Sequence, residues 1–191
     1  TSALLQVVEC EVGHPVGIDD TLALYEGGAF TRAEFAKREP GVATLPRELL
    51  ATLFDVPAKD AELRVAAFDK TLEFMRLLHA RGVTLVAGTD IAVPGYSVLR
   101  EIELYVLAGF TPLQAIQPAT ITPARHMHPD RELSTGEAGK AADAGTLHRD
   151  PPPSTRHLRN AAAAEGRAST SDPTPPRRRR RCHRARSRCA C

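Results

Sequence analysis

Gly82-Val-Thr-Leu-Val-Ala-Gly-Thr-Asp90 carries the clearest structural signal in this chain. Thr84 to Gly88 reads as a short, continuous apolar strand with Asp90 at its C-terminal end. Ahead of it, Ala61 to Ala80 has the period of an amphipathic helix. Leu63, Ala67, Thr71, Phe74 and Leu78 recur at threes and fours, and Phe68, Leu72 and Met75 widen the stripe. Asp60 is placed to cap its start, and Gly82 to permit a stop after Arg81. A long helix running into an apolar strand predicts a parallel sheet covered by helices, an α/β fold. Such folds place their chemistry at the C-terminal ends of strands, where Asp90 stands.

Downstream, Ser97 can cap a helix running to Leu107 or Ala108. Leu99, Ile102 and Val106 face its core, with Tyr105 a further candidate, and Gly109 ends it. Thr111-Pro112-Leu113-Gln114 is a capping box with proline at the first helical position. Pro118 cuts that helix short, because proline lacks an N–H and clashes with the preceding turn. Thr122-Pro123 restarts a helix to about Met127. Upstream the periodicity is weak: Leu4 to Val8 and Thr21 to Tyr25 read as short strands. Pro46 introduces a brief helix over Arg47 to Phe54, and glycines and prolines break up the rest.

The charge is divided. Residues 1–143 carry 13 Lys and Arg against 20 Asp and Glu, whereas residues 144–191 carry 12 Arg, no Lys and three acids. The net charge of +2 therefore averages an acidic body and a basic tail. The tail, with Pro151–Pro153, Ala161–Ala164, Pro173–Pro176 and Arg177–Arg181, is almost without large apolar groups and is expected to be disordered. Its arginines can attract nucleic acid or acidic membrane weakly and in a salt-dependent way, since no aromatics are interleaved. The sequence shows no apolar run that would cross a membrane, and a cytoplasmic location is the default. The four cysteines, Cys10, Cys182, Cys189 and Cys191, lack a disulfide-framework spacing.

Asp90 is the leading site candidate. A carboxylate at the end of a buried strand is costly unless solvated, paired or bound to metal. It can ligate a divalent ion or accept a proton from bound water, or it can fix a loop or cap a helix. His79 borders the helix stripe, His126 and His128 lack partners at another strand end, and His14 lies in a loop. None of these assembles a metal set. Cys182-His183 and Cys189-Ala-Cys191 miss the paired spacing of a zinc knuckle. Gly-rich phosphate loops and strand–turn–helix nucleophiles are not recognised. Gly136 to Asp143 reads as a charged turn leading into a strand.

Taken together, several stretches resemble the C-terminal part of the metal-dependent amidohydrolase superfamily, within its imidazolonepropionase-like and Xaa-Pro dipeptidase-like group. They are Arg81 to Asp90, Leu99 to Leu104, Ala108 to Ile116, Ala119-Thr-Ile-Thr-Pro-Ala-Arg125 and Gly139-Lys-Ala-Ala-Asp143, so that the resemblance covers about Leu63 to Asp143. It implies a (β/α)8 TIM barrel with a small β-sandwich. It implies hydrolysis of non-peptide carbon–nitrogen bonds in small amide or cyclic amide substrates by metal-activated water, with zinc the expected ion. Asp90 would be the metal-binding, proton-shuttling carboxylate of the eighth strand. The family's first-strand His-x-His and later ligands have no matching motifs here. The expectation is therefore a barrel fragment over residues 1–143, inactive alone and binding no metal stably. Beyond Asp143 the family's strand pattern gives way to proline and arginine, as if GC-rich DNA were read in a shifted frame. The alternative is a non-catalytic scaffold or partner protein with a nucleic-acid-binding tail.

Overall fold

Two short strands lie side by side and parallel, β1 (Gly17–Asp20) and β2 (Thr84–Ala87), with Gly17 opposite Thr84 and Asp20 opposite Ala87. This computed structural model describes residues 17–90, 93–127, 135, 137, 138, 140, 141, 144–147, 159 and 161–165. The strand expected at Leu4 to Val8, His14, His128, half of Gly136 to Asp143 and all four cysteines lie outside the described residues.

Parallel neighbours need a crossover. Here it is built from α1 (Leu22–Gly27), α2 (Arg32–Arg38), a 3-10 turn (Pro40–Thr44), α3 (Arg47–Leu50) and α4 (Ala58–Ala80). After β2 come α5 (Ser97–Leu107), α6 (Pro112–Ile116), a 3-10 turn (Gln117–Ala119) and α7 (Ile121–His126). β2 forms where the sequence predicts a strand, and its helix-flanked parallel pairing is the kind expected, but its partner is Gly17–Asp20, a segment not read as a strand. Among those residues, no helix is long and apolar enough to cross a membrane.

The long helix α4 exists as expected but is turned differently. Phe68, Met75 and Leu78 are buried, whereas Leu63 is 77% exposed. Its 23 residues span about 35 Å at helical rise, against about 13 Å for a four-residue strand. The helix is therefore much longer than the strands, and it packs against α1 and α5. Pro57, not Asp60, is its N-cap, and Asp60 sits in the first turn. The core continues through Phe30, edge-on to Phe68 at 6.2 Å, and through Phe110, stacked on His79 at 3.8 Å.

The segment Thr21 to Tyr25, expected as a strand, is instead α1. Its first two amides, Leu22 and Ala23, donate to the two carboxylate oxygens of Glu101, each at 2.7 Å. A distant carboxylate thus completes a helix start that local sequence does not signal. Ser97 likewise departs from expectation. Tyr96 is the N-cap of α5, and the Ser97 hydroxyl accepts the Val93 N–H at 2.7 Å. The Thr111 capping box forms in full, and Gly82 and Gly109 adopt positive φ where their helices end. Helix α3 is shorter than the expected Arg47 to Phe54.

Beyond Asp143, β3 (Ala144–Leu147) pairs antiparallel with β4 (Ala161–Glu165). The composition of residues 144–191 predicts disorder; at these positions the backbone is paired instead, since ladder hydrogen bonds need no large side chains.

Candidate active site

The C-terminal ends of β1 and β2 bring three acidic residues to one edge. Gly88 continues the pairing by donating its N–H to the Asp20 carbonyl at 2.7 Å. The Asp19 carboxylate and the Asp20 carbonyl crowd the place a Cβ would take at Gly88, so only glycine fits there. Asp90 follows two residues later, exposed to solvent and with φ at +43°. Aspartate is among the few non-glycine residues that tolerate this left-handed region. The side chain predicted to carry the chemistry therefore stands free at a strand end, on backbone bent to present it.

Behind this edge lies a buried acidic pair that sequence reading missed. Asp20 is 8% exposed, and its Oδ1 accepts the Tyr105 hydroxyl at 2.6 Å. Its Oδ2 is buried without a donor. The Glu101 carboxyl lies within hydrogen-bonding reach of Asp20, a contact that binds only if one of the two holds a proton. Burial, then the neighbouring Asp20, push Glu101 up to about 10. Burial likewise raises Asp20, with the Asp19 charge adding to it. Tyr105 is raised above its ordinary value, by burial first and by Asp20 next.

A second network surrounds the first. Arg100 grips Glu26 through Nε and Nη2, both at 2.7 Å, and gives Nη1 to Glu103 at 2.7 Å. Burial alone would raise Glu103, but Arg159 and Arg100 outweigh it and hold its carboxyl below the ordinary value. The signal for these residues was present: Arg100, Glu101 and Glu103 interrupt an otherwise apolar helix. Asp19-Asp20, directly after an apolar residue, was the other.

The donor set does not make a metal site. Among the described residues, no group of three or more His, Cys, Asp or Glu side chains could hold an ion. His79 is stacked on Phe110. The His126 ring lies against Gly17, which begins β1, at the end of the sheet opposite Asp90. Asp20 and Glu101 are engaged with each other, with Tyr105 and with backbone. No step through a metal follows from these residues.

The sequence pattern of the amidohydrolase family matches residues 18–168, and the chain belongs to that family. The match is wider at both ends than Leu63 to Asp143 and continues past the point where composition changes. Among solved structures, the chain is similar to a Xaa-Pro dipeptidase with methionine bound in its active site. The TM-score is 0.60 at 20% identity, over 85% of this chain and 36% of that one. At this identity the likeness is one of fold, and the chain spans about a third of that enzyme's length. The search of curated proteins found no match. The family generally binds divalent metals.

Proposed function

We propose that this chain carries the C-terminal barrel portion of a hydrolase that cleaves non-peptide carbon–nitrogen bonds in small amide or cyclic amide substrates. Asp90 is its contribution to the reacting centre. The observation that carries this reading is the place of Asp90: an exposed carboxylate just past the end of a parallel strand, in a chain of the amidohydrolase family. The enzyme is cytoplasmic and uses a divalent ion, zinc first, whose remaining ligands come from outside the described residues. The chain by itself neither holds the ion stably nor turns over substrate.

Two experiments test this. The purified chain, incubated with zinc and desalted, is expected to retain no stoichiometric metal and to hydrolyse neither N-acyl amides nor cyclic amides. Tight binding of one zinc together with hydrolysis would overturn the inactivity. Joined behind the histidine-bearing strands of a family member, the chain is expected to gain metal-dependent hydrolysis. Asp90→Asn should then lower kcat by at least ~100-fold. Unchanged kcat in a folded, metal-loaded Asp90→Asn fusion would remove Asp90 from the centre.

A further inference from the structure

Glu39 and Glu103 come from separate parts of the chain, the first capping the 3-10 turn after α2 and the second in the middle of α5. Glu39 is 0% exposed and Glu103 is 7% exposed. Two carboxylates buried together are strongly unfavourable without a cation between them. Arg100 does not suffice: two of its donors are spent on Glu26, and only Nη1 reaches Glu103.

Arg159 fills the gap. Its Nε and Nη2 meet the two oxygens of Glu103 at 2.7 and 3.2 Å. Its Nη1 and Nη2 meet the two oxygens of Glu39 at 3.0 and 3.3 Å. Two edges of one planar guanidinium are thus each engaged by a carboxylate, a geometry that a lysine ammonium cannot reproduce. The Arg159 side chain is 16% exposed, so water screens these pairs little.

We propose that Glu39 and Glu103 form a guanidinium seat, and that Arg159, by filling it, clasps the segment beyond residue 143 to the folded body. Arg159 is then part of the domain's charge balance, because it neutralises buried charge there. This does not depend on the hydrolase reading, and it is tested without any activity.

The experiment uses the full chain and its thermal unfolding. Arg159→Ala is expected to lower Tm by about 8 °C, the scale for stripping a buried ion pair of one partner. Millimolar methylguanidinium should restore at least half of that loss, and ethylammonium should not. Arg159→Lys should recover less than half. If Arg159→Ala does not fold, the triple variant Arg159→Ala/Glu39→Gln/Glu103→Gln should fold, because it removes the charges that need a partner, and methylguanidinium should leave its Tm unchanged. The proposal is overturned by a wild-type Tm for Arg159→Ala, by rescue with ethylammonium equal to that with methylguanidinium, or by a triple variant as unfolded as the single one.

Discussion

Tyr105 donates its hydroxyl to Asp20 Oδ1 at 2.6 Å, tying the last turns of α5 to the end of β1. Both residues are buried, and the bond spans 85 positions of sequence. One turn earlier on the same helix, Glu101 binds the first amides of α1. Helix α5 therefore fixes both the strand end and the chain's departure from it, beside the edge that presents Asp90.

Tyr105→Phe removes this donor while keeping the ring against Phe110. It leaves Asp20 with neither oxygen served by a hydroxyl, at a cost of about 2 kcal/mol. Urea denaturation at pH 6 is the check, and a midpoint equal to wild type would mean that the bond adds nothing to stability.

The acidic pair makes stability depend on pH. Glu101 is pushed up from 4.5 to about 10, by burial and then by Asp20, and burial raises Asp20 as well. Asp19 on β1 opposes further ionisation, Tyr105 on α5 donates to the pair, and the α1 amides favour charge on Glu101. Folded values above unfolded ones mean that the contribution is complete below about 4.5 and is lost as pH climbs toward about 10. The urea midpoint should therefore fall between pH 6 and pH 9. Glu101→Gln, which cannot ionise, should flatten that slope; a slope identical to wild type would place the titration elsewhere.

Gly88→Ala should be costly. The added Cβ meets the Asp20 carbonyl, which is backbone and cannot swing away, as well as the Asp19 carboxylate. A loss of about 2 kcal/mol is expected. Gly95→Ala is the contrast: nothing lies within 4 Å of its Cβ, and only φ of +78° opposes the change, so about 1 kcal/mol is expected. Equal stabilities for Gly88→Ala and wild type in calorimetry would show that the strand ends can part.

Asp90→Asn separates chemistry from architecture. Asparagine tolerates φ of +43° as aspartate does, and the side chain is exposed. Its Tm should stay within about 1 °C of wild type. A fall of several degrees would favour the loop-fixing reading of this carboxylate over a chemical one.

Elements whose instructions are local were legible in the chain. The apolar run of β2, the proline-and-threonine start of α6 and the glycine stops after α4 and α5 each encode their geometry within a few residues, and each forms where it was read. Asp90 was legible for the same reason, as a carboxylate at the end of a visible strand. Long-range contacts set Thr21 to Tyr25 as helix rather than strand, because the carboxylate serving its amides lies 79 and 78 residues away. The fold alone also set which face of α4 is buried, that Tyr105 reaches Asp20, and that Arg159 serves two buried glutamates. A charge is stable in the interior only with its partner in place, and a partner brought from the far side of the fold leaves no periodicity in the chain.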